Sequence, residues 1–381
     1  MHALIILERR MPVKIVMRRD DFVAAATDVA RATSSKLGDS SSSVRIIAEN
    51  DSLILTANDL ELAISAQIKA EVIVPGSIVV PGRLLSEAAR RFPSEEVSMH
   101  VAEGRHVLKL CSGFSDMELV GMAASFFPEI PEIEGLTVIT LPQAQLKSML
   151  KQVSFAMSQD SIRLILTGML WEYQDNRLRL VAADGTKVAS RQESLVDQDE
   201  TAFSMVMPGR AVHELLRLLD ETDEPVEVAV GKNHCLVQIG NTTLVSKLLE
   251  GRYINVDQYV PTNFTTLVQL NPKILLTALD RCAIMTKDLL TGIVRLNFNN
   301  QILCVRAHSA ELGSHYEEWP IEKNGEDLDI FFNNKVLSDI MRALDYGDVK
   351  MSFTGQFGPV VAQSIKNEKN YWSLVMPVRL S

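Results

Sequence analysis

Six basic side chains recur as three matched pairs. Arg83 and Arg90, Arg210 and Arg217, and Lys335 and Arg342 each stand seven residues apart. Seven residues is nearly two helical turns, so on a helix both members of a pair point the same way. Cations repeated at this spacing neutralise phosphates along a polyanion and read no bases. Glu87, Glu214 and Asp339 follow the first cation of each pair by four residues. Taken singly, each helix is plainly read as a solvated face with i,i+4 ion pairs, worth a few tenths of a kcal/mol apiece. Repetition in three places is what favours the polyanion.

Other chemistry is scarce. His2, His100, His106, His213, His234, His308 and His315 show no ligand partner at helical or finger spacing, so no metal is implied. The phosphate-loop, dinucleotide and nucleophile-elbow patterns are absent, so no cofactor is implied either. Asp184–Gly185 in VAADGTKVA reads as a hairpin turn rather than a metal or phosphate loop. Glu129, Glu132 and Glu134 in FPEIPEIEG suit a linker at a domain seam. Cys111, Cys235, Cys282 and Cys304 lie far apart without CxxC spacing, the usage of free thiols in a reducing cytosol. No nucleophile–base pair stands out, and an enzyme ranks last among the readings.

The elements that carry the basic pairs are written three times. SIVVPGRLLSEAARRF begins at Ser77, FSMVMPGRAVHELLRLL at Phe203 and LDIFFNNKVLSDIMRAL at Leu328. Their anchors, Pro81, Pro208 and Asn333, are 127 and 125 residues apart. That period is the size of a whole domain, so three tandem domains fill the 381 residues. Each domain has a second helix further upstream, starting near Arg18, Leu141 and Asn271. Runs such as VRIIAEN, LRLVAADG and ILCVRAH alternate with period two and end in Asn, Asp or Gly, the pattern of antiparallel hairpins. The expected class is α+β, with two helices per domain packed on antiparallel sheets. Leu84, Leu85, Ala88 and Phe92 form the expected buried stripe of the first repeated helix. Val212, Leu215, Leu216 and Leu219, then Val336, Leu337, Ile340 and Leu344, form the next two.

Domains are expected over 1–133, 134–257 and 258–381, with residues 1–10 a dispensable extension. The opening MHALIILERR is a poor signal peptide, and no apolar run approaches a membrane span. A cytoplasmic protein with no membrane partner is therefore expected. Net charge is −10, yet the six helices together carry +8, leaving −18 on the rest. Positive helices on an acidic body suggest one concave basic surface that holds phosphates weakly. No aromatic platform for single-strand stacking is visible.

VAADGTKVA, SKLLEGRY, the PGR helix starts and the terminal VMPVRL resemble the bacterial DNA polymerase III beta subunit, the sliding clamp. The likeness runs from about Met11 to the C-terminus. It implies a head-to-tail homodimeric ring of six similar domains around double-stranded DNA, helices inward. Such a ring slides without sequence readout and tethers the replicative polymerase, the clamp loader and other proteins carrying a clamp-binding motif. These partners dock short glutamine- and leucine-containing peptides between the second and third domains. The matching positions are Arg163, Leu166, Ala183, Gly185, Thr186, Lys187, Val188, Ile254, Tyr259, Leu374, Met376, Pro377, Val378 and Arg379. Ala183 replaces a common threonine, Lys187 an arginine and Ile254 a proline. The implied DNA-facing set is Lys36, Arg83, Arg90, Lys147, Lys151, Arg210, Arg217, Lys273, Arg281, Lys335 and Arg342, while Asp160 stands where some relatives have an amide. Met117 and Leu119 would meet Ile284 and Met285 of a second copy. The alternative is a peptide-binding assembly scaffold that never closes around DNA.

Overall fold

The computed structural model describes residues 13–34, 40–101, 106–131, 133, 137–196, 201–286, 292–344, 347–367 and 370–379. Lys36 and residues 1–10 lie outside the described residues. The first repeat runs β1 (Val13–Arg18), α1 (Arg19–Ala30), β2 (Ser43–Glu49), β3 (Ser52–Asn58), β4 (Leu62–Lys69), β5 (Glu71–Val74), β6 (Gly76–Pro81), α2 (Gly82–Arg91), β7 (Glu96–Val101), β8 (Val107–Ser112) and β9 (Ser115–Val120). The second runs β10 (Thr137–Pro142), α3 (Gln143–Ser154), β11 (Gly168–Gln174), β12 (Arg177–Ala183), β13 (Lys187–Ser194), β14 (Phe203–Pro208), α4 (Gly209–Leu218), β15 (Pro225–Val230), β16 (His234–Ile239) and β17 (Thr242–Lys247). The third runs β18 (Thr266–Leu270), α5 (Pro272–Thr286), β19 (Ile293–Asn299), β20 (Ile302–Ser309), β21 (Gly313–Pro320), β22 (Glu322–Gly325), β23 (Leu328–Asn333), α6 (Asn334–Ala343), β24 (Val349–Phe353), β25 (Val360–Ser364) and β26 (Tyr371–Val375). The strand–helix–strands–helix–strands plan occurs three times, as the triplicated phrase requires.

Sheets join the repeats. The described residues within 13–142, 217–220 and 224–248 form one compact unit, and those within 143–216, 221–223 and 249–379 a second. The first unit holds a five-stranded sheet, β5-β1-β7-β8-β9, and an eight-stranded sheet, β10-β15-β16-β17-β4-β3-β2-β6. Its central joint is the antiparallel pairing of β17 with β4, Thr242 opposite Ala66 through Ser246 opposite Leu62. The second unit holds a nine-stranded sheet, β14-β11-β12-β13-β26-β25-β24-β18-β22, and a four-stranded sheet, β21-β20-β19-β23. There β13 pairs with β26, Lys187 opposite Val375 through Arg191 opposite Tyr371. Strands from neighbouring repeats thus satisfy each other's backbone groups, which is why three repeats condense into two units.

The helices lie against these sheets through small residues. α1 buries Phe22, Ala25, Ala26 and Val29, and α2 buries Leu85, Ser86, Ala88 and Ala89. Leu84, expected in that stripe, is 52% exposed. The buried face is centred one residue later than hydrophobicity suggests, because alanine and serine allow closer approach of α1 and α2. Leu216 and Val336 are half-buried at the margins of the stripes on α4 and α6. Glu214, expected on the wet face, is buried. At the start of α4 a Cβ on Gly209 would sit 2.5 Å from the Thr167 carbonyl, so only glycine fits. The third repeat solves the same corner differently. Asn333 Oδ1 caps α6 by accepting from the Val336 amide at 3.1 Å, and Asn334 Nδ2 donates to the Leu279 carbonyl at 3.0 Å.

Candidate partner-binding pocket and basic helix face

Within the second unit, β12 and β13 form a hairpin whose turn is Asp184–Gly185–Thr186. Asp184 Oδ1 accepts from the amides of Thr186 (2.8 Å) and Lys187 (3.0 Å) and from Thr186 Oγ1 (2.9 Å). Gly185 takes φ of +95°, which the turn demands and side chains oppose. The Asp-Gly pair is a structural turn, as its sequence indicates. The Lys187 ammonium lies 3.2 Å from the Asp184 carboxylate, so its charge is locally balanced.

Beside this turn runs the C-terminal strand. Val188 faces Leu374 across the β13–β26 pairing, and the Met376 amide donates to the Thr186 carbonyl at 2.8 Å. Beyond it, the Val378 amide donates to Phe331 O at 2.8 Å, and the Arg379 guanidinium lies 5.8 Å from the Phe357 ring centroid. Leu166, Ala183, Val188 and Leu374 belong to one buried apolar cluster, against which Ile254 packs. The rim is wet: Arg163, Thr186, Tyr259, Met376 and Arg379 are exposed, while Pro377 and Val378 are half-buried. Arg163 has a non-helical backbone (φ −114°, ψ 77°) inside the short 3-10 segment Ser161–Thr167, whose buried residue is Leu166. This is an apolar floor with a polar, partly cationic margin, suited to a short apolar peptide.

Sequence reasoning missed part of the floor. Leu170, Val181, Val206, Tyr253, Val256 and Val361 complete the cluster. Tyr253 is the informative omission, since its hydroxyl accepts the Ala183 amide at 3.0 Å. SKLLEGRY contains the residue, but nothing local signals where its hydroxyl reaches.

A second feature of this unit is a helical face. Lys147, Lys151 and Arg342 line a hollow of about 540 Å³ between α3 and α6 with Phe155 and Asp339. Arg210 and Lys335 line an adjoining hollow of about 470 Å³, which shares Phe155 and Asp339. Five expected cations, from α3, α4 and α6, therefore meet on one face. Several are matched by carboxylates. Lys151 Nζ is 2.7 Å from Glu221, whose pKa its hydrogen bond lowers. Arg342 reaches Asp339 at 3.1 Å and Asp280 at 3.3 Å. Lys273 is exposed on α5. In the first unit Arg83 pairs with Glu87 at 3.0 Å, Arg90 Nε donates to Thr27 Oγ1 at 3.2 Å, and Arg217 is exposed.

The chain matches three consecutive family models along this fold. Residues 13–131 match the N-terminal domain of the DNA polymerase III beta subunit, 140–255 its central domain and 257–379 its C-terminal domain. This chain belongs to the DNA polymerase III beta subunit family. It is similar to the beta sliding clamp of Staphylococcus epidermidis, 29% identical over 376 residues, with 96% of this chain and 99% of the relative covered. The Bacillus subtilis beta sliding clamp is 28% identical over 377 residues, with coverage of 96% and 99%. Among solved structures, the Bacillus subtilis DNA polymerase sliding clamp superposes with a TM-score of 0.92 at 27% identity, covering 97% of this chain and all of that one (100%). A Pseudomonas aeruginosa sliding clamp bound to griselimycin gives 0.89 at 27% identity, with coverage of 97% and 100%. The family is a non-catalytic processivity factor, not an enzyme.

For a beta subunit the sheet edges matter as well. β9 ends the five-stranded sheet and β21 the four-stranded one, so each has an outer edge without a strand partner among the described residues. Met117 is half-buried on β9, whereas Leu119 is 6% exposed and packs into its own unit. Val120 (76% exposed) and Phe114 (94%) are the open apolar groups there. On α5, Ile284 is exposed and Met285 half-buried. Arg281, also expected to face DNA, pairs with Glu317 on β21. Both Glu317 carboxylate oxygens accept from it, Oε2 at 2.6 Å, and Glu317 also meets His315 Nε2 at 2.6 Å and Trp319 Nε1 at 3.0 Å. The Arg281 bond, first among these causes, pulls the Glu317 pKa down to about 2. An inward-pointing, fully satisfied charge of this kind discourages random pairing at an open edge.

Proposed function

We propose that two copies of this chain close head to tail into a ring around duplex DNA, with the cationic helix face inward. The observation that carries this reading is the meeting of Lys147, Lys151, Arg210, Lys335 and Arg342 on adjoining hollows of one unit. Their carboxylate neighbours keep the field modest. Phosphates are then held loosely enough to slide, and topology rather than affinity prevents escape. The first-unit cations Arg83, Arg90 and Arg217, together with Lys273 and Lys36, extend the same role. The open edges β9 and β21, with Met117, Ile284 and Met285, supply the seam, and a heterologous contact that closes after two copies gives a dimer.

The pocket floored by Leu166, Ala183, Val188 and Leu374 tethers the replicative polymerase, the clamp loader and other proteins carrying a clamp-binding peptide. Among the described residues no helix is long and apolar enough to cross a membrane, and the site of action is the bacterial cytoplasm, where the chromosome lies. The test is topological. Protein loaded on a nicked circle is retained through gel filtration and lost once the circle is cut open. Equal retention on circular and linear DNA would favour the assembly scaffold that never encloses DNA.

A further inference from the structure

The segment that joins the second repeat to the third lies along the sheet of the second. Residues 253–260 contain no strand, yet two side-chain contacts fasten them to β12. At one end the Ala183 amide donates to the Tyr253 hydroxyl at 3.0 Å. At the other, Arg179 grips both carboxylate oxygens of Asp257, Nη1 to Oδ2 at 2.9 Å and Nη2 to Oδ1 at 2.6 Å. The pairing is antiparallel: 253 with 183 and 257 with 179, four residues apart on each side. Between the two fastenings Val256 is buried in the apolar cluster and Ile254 packs on it. Two residues beyond Asp257, Tyr259 stands 54% exposed at the rim.

Arg179 is itself held in place. Its Nε donates to Ser190 Oγ at 3.0 Å, and Glu172 lies 3.8 Å from Nη1. A guanidinium fixed at its own base presents its fork in one orientation, and a bidentate contact transmits that orientation to the carboxylate. Asp257 is well exposed, so the pair adds little to overall stability. What it controls is position.

We infer that Arg179 is a positioning residue for the partner pocket. Its clamp on Asp257, acting with the Tyr253–Ala183 bond, sets where Ile254 and Tyr259 stand and so fixes one wall before a peptide arrives. A wall ordered in advance spares the peptide the entropy of ordering it. This inference rests on the pocket reading and refines it by naming what shapes the site.

The experiment is a fluorescence-polarisation titration of the full chain. The probe is a labelled synthetic peptide containing a glutamine, two leucines and a terminal phenylalanine. Arg179→Met and Asp257→Asn are each expected to weaken binding roughly tenfold, the loss anticipated when a few side chains must be ordered on binding. Arg179→Lys keeps the charge but loses the fork, and falls between. The swap Arg179→Asp with Asp257→Arg recovers most of the affinity. Melting midpoints close to wild type for all four show that the fold is intact. Wild-type affinity in Arg179→Met, or a folded swap as weak as the single variants, overturns the positioning role. A wild-type chain that does not bind the probe at all refutes the pocket reading itself.

Discussion

The side-chain amide of Gln152 donates to the backbone carbonyl of Ala343 across 3.0 Å, tying α3 of the second repeat to α6 of the third. The same side chain accepts from Arg191 Nη1 at 2.9 Å, and its backbone carbonyl accepts from the Tyr371 hydroxyl at 3.2 Å. Gln152 is 7% exposed and Tyr371 is fully buried. Burial pushes the Tyr371 hydroxyl well above its ordinary pKa, so it stays a donor. A polar network this deep is stabilising only while every member is satisfied.

Gln152→Ala should therefore cost more than the lost contacts themselves. The Ala343 carbonyl loses its donor and Arg191 loses one acceptor in a site with little water. The expected loss is about 1–3 kcal/mol, the penalty of stranding a buried polar group. Urea unfolding followed by intrinsic fluorescence reads it directly. A midpoint equal to wild type would show that water replaces the amide without penalty.

Glu317 gives a pH prediction with a definite sign. Its folded pKa is depressed to about 2 by Arg281 first and then by His315 and Trp319. A depressed carboxylate contributes stability that is fully present above its unfolded pKa and disappears as protons reach it. The contribution is thus intact at neutral pH and lost as pH falls from the ordinary carboxylate range toward 2. Glu317→Gln should flatten the decline in urea midpoint over that window relative to wild type. Parallel declines in the two proteins would rule out a role for this cluster in acid stability.

Much of this was legible in the sequence, for reasons that can be named. The PGR phrase marks where a strand turns into a helix, and Gly209 shows why: the Thr167 carbonyl leaves no room for a Cβ. Asn333 does the same job by capping, so the third copy was recognisable despite different residues. Short-range signals of this kind survive translation into structure. The exposure of Leu84 and the partner of Arg281 were not legible in this way. Leu84 was misplaced because Ser86 and Ala89 carry little hydrophobic weight yet pack closely. Arg281 shares a helix with solvent-facing charges, and only the fold brings Glu317 to it from 36 residues away. In the pocket, residues adjacent on β13 and β26 could be anticipated from the motifs. Tyr253 and the Arg179–Asp257 pair could not, because their partners lie 70 and 78 residues distant.

Gly185 offers a substitution whose cost is purely conformational. Its φ of +95° lies in the left-handed region, and a Cβ there would meet nothing within 4 Å. The Cβ of a valine at this position finds open space, but the residue must hold a backbone angle that β-branched residues avoid. Gly185→Val should lose about 1–3 kcal/mol of stability through that strain. It should also weaken peptide binding, because Thr186, Lys187 and Val188 are placed by the turn. Gly185→Asn should be milder on both counts, since asparagine visits positive φ more readily. The ranking glycine, asparagine, valine is read from melting midpoints and peptide titrations on the same three proteins. Equal behaviour of the asparagine and valine variants would show that the hairpin relaxes to another turn and that the Asp184 carboxylate does not hold it.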